Sequence, residues 1–105
     1  MSMDDNFTGI QHIGIPTNDI EATIAFYQKL GFIPVLRTVN EQANEKVAFL
    51  RLHNLTIETY ENKAAEMKTG AIDHIAINCV SIEDAFSYIN KEGLNTTSDT
   101  ICLLY

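Results

Sequence analysis

Two histidines, His12 and His74, occupy equivalent places in an internal repeat and are the first candidates for chemistry. Shifting the chain by 62 residues lays one on the other, and from Gly9 to Phe32 eight of 24 positions are then identical without a gap. A single histidine in a strand is more often structural than functional, but two at the same place in a repeat favour a shared role. Neutral imidazoles are common ligands of divalent transition metals. The pair predicts a metal-binding pocket, against the alternative of an inherited fold that no longer binds metal.

The first copy of the repeat predicts a strand, a helix and three more strands. The β-branched run from Ile10 to Ile15 alternates between two faces, as strands do. Asn18 is the expected N-cap of the following helix, Glu21 completes a capping box, and Gly31 supplies the stop. The helix should bury a stripe of Ile20, Ile24, Tyr27 and Leu30. Further strands are expected at 32–38, 46–52 and 55–60, which makes a βαβββ module over residues 8–61.

The second copy repeats the plan after a polar linker at 62–70, in which we expect a helical turn around 64–67. Ile72 to Val80 is its predicted opening strand, and a helix capped by Ser81 and ended by Gly93 should follow. Residues 94–97 and 100–105 then offer at most two strands where three are expected. We therefore predict one α+β domain over residues 1–105, in which the second module, 71–105, is incomplete.

Several phrases in the sequence resemble the vicinal-oxygen-chelate superfamily, which includes glyoxalase I, bleomycin resistance proteins and extradiol dioxygenases. They are the His-Ile-x-Ile openings of both copies, the phrase from Phe26 to Phe32, and the run from Phe49 that leads to Ile57 and Glu58. Within the superfamily, lactoylglutathione lyase and methylmalonyl-CoA epimerase look most similar. The resemblance implies paired βαβββ modules that form a curved, cup-shaped mixed sheet with the helices outside.

The same resemblance implies a divalent metal in the cup, held by the first and fourth strands of each module. The positions that match the ligand pattern are His12, Glu58 and His74, and the ion would be zinc, nickel, manganese or iron. Glu58 should share a strand face with Thr56 and Tyr60. It is also the expected catalytic residue, a general base that takes the proton next to a carbonyl while the metal stabilises the substrate oxygens.

Other positions depart from the family pattern. The repeat places the fourth ligand at position 120, beyond Tyr105, so we expect poor catalysis even where metal binds. Pro16 stands where relatives of glyoxalase I have an arginine for the glutathione carboxylate, so glutathione is not an expected cofactor. Extradiol dioxygenases take their carboxylate from the last strand, which makes oxygenase chemistry the weaker enzymatic interpretation. His53 and Glu61 match no motif position and are expected at the surface.

The bulk composition limits the classes of partner that the protein is expected to bind. A formal net charge of −7 disfavours nucleic acid, because phosphate backbones are bound through lysine and arginine. No apolar run approaches the ~20 residues of a membrane span. The amino terminus lacks the pattern of a signal peptide, so we expect a cytoplasmic protein. A homodimer is expected because an unfinished second sheet leaves an open edge.

Three interpretations of function follow from these observations. The leading one is a glyoxalase-type lyase or isomerase that uses a divalent metal on a small oxygenated substrate. The second is a metal-free protein of the same fold that binds a small molecule or sequesters an antibiotic. The third is an inactive, truncated member of the family. Metal analysis separates the first interpretation from the second.

Overall fold

The chain follows the predicted order of strands and helices through residue 61, with one short helix added at the amino terminus. A computed structural model describes residues 2–98 and residue 100. The elements are α1 (Met3–Asn6), β1 (Ile13–Thr17), α2 (Ile20–Lys29), β2 (Ile33–Asn40), β3 (Glu45–Leu52), β4 (Leu55–Glu61) and α3 (Ile82–Lys91). They fall into two compact units, Met1–Met67 and Lys68–Tyr105. No helix of the described part is long and apolar enough to cross a membrane.

The first unit is built on a mixed four-stranded sheet with the order β1-β4-β3-β2. β1 runs parallel to β4 in a register that sets Gly14 against Glu58. β3 is antiparallel to β4 and sets Phe49 against Glu58. β2 is antiparallel to β3, with a register shift between Pro34 and Leu36. Gly14, Glu58 and Phe49 therefore form one row across three adjacent strands.

One face of this sheet is closed by α2. Ile20 and Ile24 of the helix are 1% and 5% exposed, as the predicted stripe requires. They form the core with Phe32, Ala48, Leu50 and Ile57, and Tyr27 and Leu30 pack against its edge. Burying one such aliphatic side chain stabilises the fold by about 1.5–3 kcal/mol. The core therefore occupies the helix side of the sheet.

α2 begins one residue later than predicted. Asp19, not Asn18, is the N-cap, and its Oδ1 accepts a hydrogen bond from the backbone N–H of Ala22 at 3.1 Å. The Asn18 side chain instead accepts from the backbone N–H of Ala65 at 2.9 Å and donates to its carbonyl at 3.1 Å. Asn18 thereby ties the segment after β4 to the turn before α2. The helical turn expected at 64–67 does not form.

The second unit contains α3, whose first and last residues lie 62 positions after those of α2. Ser81 is its N-cap, as predicted, and the hydroxyl accepts from the backbone N–H of Asp84 at 3.1 Å. Each helix is followed by a glycine with positive φ, Gly31 at 96° and Gly93 at 72°. These are the predicted stops, since glycine reaches that conformation without a steric penalty from Cβ. The structure therefore reproduces the repeat at the level of the helices.

The prediction of a strand over Ile72 to Val80 is wrong. Residues 73–79 have no strand pairing, and 71–80 are exposed. The reason lies in the first unit, where the equivalent strand β1 is held by β4. In the second unit, residues 94–98 form no strand that could pair with this segment. Without a neighbouring strand the backbone groups gain no ladder of hydrogen bonds. The strand expected at 100–105 lies outside the described residues, apart from residue 100.

Candidate functional site

β4 alternates between the core and the opposite face of the sheet. Ile57 and Thr59 are buried on the helix side, at 1% and 0% exposure. Glu58 and Tyr60, which alternate with them, therefore share the other face, as predicted. We call this surface the open face; it carries His12, Gly14, Phe49, Glu58 and Tyr60.

His12 lies beside Glu58 on the open face. Its Nε2 is 3.7 Å from Oε1 of Glu58, and its ring meets the Phe49 ring edge-on, with centroids 5.3 Å apart. The side chains of His12 and Glu58 are 32% and 29% exposed, so water reaches both. A separation of 3.7 Å is too long for a hydrogen bond. An imidazole nitrogen and a carboxylate oxygen that face the same small space can hold a cation between them.

The His12–Glu58 pair fits two ligands of one metal ion. Imidazole nitrogen and carboxylate oxygen bind zinc at about 2.1 Å, so two such donors at a tetrahedral angle stand about 3.4 Å apart. The observed separation of 3.7 Å is close to that spacing. Neither unit alone, over its described residues, brings together three His, Cys, Asp or Glu side chains that could hold an ion. A metal site on the open face therefore needs a further donor.

His74 belongs to the second unit, where its side chain is 78% exposed. Its Nδ1 lies 2.6 Å from Oδ1 of Asp73. His12 has the same kind of neighbour, because its Nδ1 lies 2.7 Å from Oε1 of Gln11. The approach of His74 to His12 would join two separate units and stays a prediction. His53, the third histidine, is exposed in the turn between β3 and β4, as expected.

The surroundings of Glu58 include a glycine on the neighbouring strand and a positive charge on the same face. A Cβ added at Gly14 would lie 3.6 Å from Cε1 of Tyr60 and 3.7 Å from Oε1 of Glu58, so the backbone of β1 approaches both side chains closely and a methyl group there would be in van der Waals contact with them. Arg51 is exposed and lies two residues beyond Phe49 on β3, which places it on the same face. The open face thus combines an imidazole, a carboxylate, a phenol and a guanidinium.

Two charged contacts hold α2 to the sheet on the opposite side. The expectation that Glu61 lies at the surface is wrong, because it is half-buried and its Oε2 accepts a hydrogen bond from the backbone N–H of Ile20 at 2.9 Å. A carboxylate is favoured there by the positive end of the helix dipole. Arg37 forms an ion pair with Glu21, and this hydrogen-bonded contact lowers the pKa of Glu21. Both contacts are structural.

A largely apolar cleft of about 450 Å³ lies along β1 and α2. Its lining includes Ile15, Thr23, Tyr27 and Met67. Burial raises the pKa of the Tyr27 hydroxyl. The cleft shares no residue with the His12–Glu58 pair, so the groups with metal-ligand chemistry lie outside it.

Sequence reasoning missed three neighbours of the candidate ligands: Gln11, Phe49 and Asp73. A signal existed for two of them, because the repeat aligns Gln11 with Asp73 and so sets a side-chain oxygen directly before each histidine. No comparable signal marked Phe49, whose contact with His12 depends on the β1-β4-β3 order.

The fold agrees with a known family. The sequence profile of the glyoxalase/bleomycin resistance protein/dioxygenase superfamily matches residues 9–99. The chain belongs to this superfamily. The resemblance stated from the motifs is thereby confirmed, and so is the α+β fold class. No curated protein sequence matches the chain.

Solved structures of glyoxalase-superfamily proteins share the fold. The fosfomycin resistance protein FosX from Listeria monocytogenes, complexed with Mn(II) and sulfate, superposes with a TM-score of 0.71 at 21% identity, over 89% of this chain and 78% of that chain. A glyoxalase family protein from Enterococcus faecalis gives a TM-score of 0.66 at 21% identity, over 84% and 75% of the two chains. At this level of identity the likeness concerns the fold alone.

Proposed function

We propose that the protein is a divalent-metal-dependent lyase or isomerase of the glyoxalase superfamily that acts on a small oxygenated substrate. The observation that carries the proposal is the position of His12 Nε2 and Glu58 Oε1, 3.7 Å apart on the open face. His12, Glu58 and His74 would hold the ion. When bound, the ion supplies positive charge that stabilises negative charge on substrate oxygens.

The residues of the open face have separate tasks in this proposal. Glu58 accepts the proton that leaves the carbon next to a carbonyl, since a carboxylate with water access can act as a general base. Phe49 packs against His12 and limits the directions its ring can take. Arg51 attracts an anionic oxygen of the substrate. Gly14, which has no side chain, lets the backbone of β1 lie close to Glu58 and Tyr60.

Metal binding by the full chain tests the proposal. Titration calorimetry with Mn²⁺ and Zn²⁺, with the metal content of the purified protein as a second measurement, should show one ion per chain. Mn²⁺ comes first because FosX, a structural neighbour, was crystallised with Mn(II). His12→Ala, Glu58→Gln and His74→Ala should each weaken binding at least about tenfold, because loss of a ligand costs no less than loss of a residue that only orients a ligand.

The matched control is His53→Asn. His53 has a positive φ of 52°, a conformation that asparagine also adopts readily, so this variant removes an imidazole without straining the turn. Its metal affinity should equal that of the native chain. Absence of stoichiometric metal, with binding of a small molecule retained, would instead favour the metal-free binding protein.

Turnover identifies the reaction. Methylglyoxal-type and epimerase substrates test the lyase and isomerase chemistry, and fosfomycin is included because the FosX neighbour is a fosfomycin resistance protein. Glu58→Gln should abolish turnover of whichever substrate reacts, because the amide cannot accept the proton. Turnover that survives in Glu58→Gln would place the catalytic base elsewhere.

A further inference from the structure

The two candidate histidine ligands share a local arrangement that the repeat makes equivalent. Each ring directs Nδ1 at a side-chain oxygen of the preceding residue. The distance is 2.7 Å from His12 Nδ1 to Gln11 Oε1 and 2.6 Å from His74 Nδ1 to Asp73 Oδ1. Gln11 and Asp73 lie 62 residues apart, as the two histidines do. The same contact therefore occurs in each unit by itself.

The chemistry of these oxygens decides which ring nitrogen carries the proton. An ionised carboxylate has no hydrogen to donate, so Nδ1 of His74 must be the donor in its contact with Asp73. The amide oxygen of Gln11 faces Nδ1 of His12 in the same sense. A neutral imidazole carries only one N–H, so both rings are left with a lone pair on Nε2.

At His12 this assignment explains the gap beside Glu58. With the proton on Nδ1, the Nε2 lone pair and a carboxylate oxygen face each other at 3.7 Å with no hydrogen atom between them. Two facing acceptors do not stabilise one another, but both are ligands for a cation. Metal-binding histidines commonly donate their other ring N–H to an oxygen in this way.

We propose that Gln11 and Asp73 are positioning residues that hold His12 and His74 in the Nδ1–H tautomer, so that each ring presents the Nε2 lone pair to a ligand. The inference rests on the proposed function for what that lone pair binds. The tautomer itself is a property of the metal-free chain. At equal exposure the carboxylate of Asp73 would make a stronger hydrogen bond to its histidine than the amide of Gln11, because the acceptor is charged. The Asp73–His74 contact, however, is the more exposed to water.

Long-range ¹H–¹⁵N correlation NMR on the metal-free full chain measures the tautomers directly. At about pH 8, above the ordinary histidine pKa of about 6.5, all three rings are compared in one spectrum. His12 and His74 should show the Nδ1–H pattern. His53 is the internal reference, because no side-chain oxygen of the described residues contacts its ring.

Substitutions then separate the two contacts. Gln11→Ala should shift only His12 towards the Nε2–H tautomer, and Asp73→Ala should shift only His74. Asp73→Asn keeps an acceptor oxygen and should restore the native pattern at His74. In calorimetry, each alanine variant should weaken Mn²⁺ binding by about tenfold, the lower end of the range for such neighbours of a ligand.

The outcomes distinguish this inference from the proposed function. An Nε2–H tautomer at His12 and His74 in the native chain, or tautomers that ignore both alanine variants, would overturn the positioning role. If the tautomers respond to the variants as described but the chain binds no metal, the positioning role is supported and the proposed function is overturned.

Discussion

Thr59 offers a test of the core that depends on a single atom. The residue lies on β4 with 0% exposure, and its Oγ1 is a buried polar atom with no hydrogen-bond partner among the described residues. Its strand neighbours in register are Ile15 and Ala48, both apolar. The hydroxyl has therefore left water without gaining a replacement hydrogen bond. Valine has nearly the same shape and lacks the hydroxyl, so Thr59→Val should stabilise the protein.

The expected gain follows from the cost of burying that hydroxyl. Mutational data put the penalty of an unpaired buried polar group at about 1–3 kcal/mol, and a buried methyl adds favourable transfer energy. Packing reduces this gain in the free energy of unfolding, because the second methyl group of valine must fit the space that the hydroxyl occupied in a tightly packed core. We expect Thr59→Val to raise the free energy of unfolding by about 1–2 kcal/mol.

Urea unfolding followed by circular dichroism at 222 nm measures the change. With a slope of about 1–2 kcal/mol per molar urea, the midpoint should rise by about 1 M while the slope stays constant. Thr56→Val is the matched control: it lies on the same strand, half-buried on the open face, and should change stability by less than about 0.5 kcal/mol.

Replacing a second buried threonine, Thr17, by valine should lower the free energy of unfolding instead of raising it. Thr17 is 8% exposed, and its hydroxyl lies 2.6 Å from Oγ1 of Thr23 and accepts from the backbone N–H of Asp19 at 3.1 Å. Thr17→Val leaves those groups unpaired and should cost about 1–3 kcal/mol. The reasoning is refuted if Thr59→Val lowers the urea midpoint, or if both buried threonines respond alike.

Three further predictions concern the helix contact, pH and assembly. Glu61→Ala removes the acceptor for the Ile20 N–H and should lower stability by about 1 kcal/mol in the same urea assay, with Glu61→Gln losing less. Burial raises the pKa of Tyr27, so the neutral hydroxyl is favoured in the folded state. The free energy of unfolding should therefore fall as pH rises above the ordinary tyrosine pKa of about 10. In Tyr27→Phe this part of the pH dependence should vanish. We propose a homodimer that covers edge strand β2, where Val39 is 50% exposed. Light scattering should show two chains for the native protein and one chain for Val39→Lys. A native chain that stays monomeric at high concentration would contradict the proposal.

The helices were predictable because local signals and the repeat agree. The apolar stripe of α2 and the two glycine stops are read from short segments, and both are found in the structure. The error at Asn18 was avoidable. The repeat aligns the correctly predicted cap Ser81 with Asp19, which is the observed cap of α2. A capping-box pattern alone cannot choose between two adjacent acceptors, whereas the repeat can.

Long-range pairing explains the remaining failures. The segment from Ile72 to Val80 has the β-branched composition of β1, but a strand also needs a neighbour, and composition does not reveal whether one exists. The position of Glu61 in the strand alone predicts an exposed side chain. Its role depends on the end of β4 lying next to the start of α2, which is set by the parallel pairing of β1 with β4.

In the candidate site, too, the local placement of residues was predictable from the sequence and their long-range approach was not. The prediction that both His12 and Glu58 lie on strands is right for Glu58, whereas β1 begins at Ile13 and His12 directly precedes it. The 3.7 Å approach of the two side chains requires the register that sets Gly14 against Glu58. Successive side chains of a strand point to opposite faces, so a register shift of one residue would turn Glu58 towards the core. The burial of both neighbours of Glu58 on the helix side makes such a shift costly. The hydrophobic core of the first unit thus fixes which polar groups meet on the open face, and the chemistry proposed for His12 and Glu58 depends on Ile57 and Thr59 remaining buried.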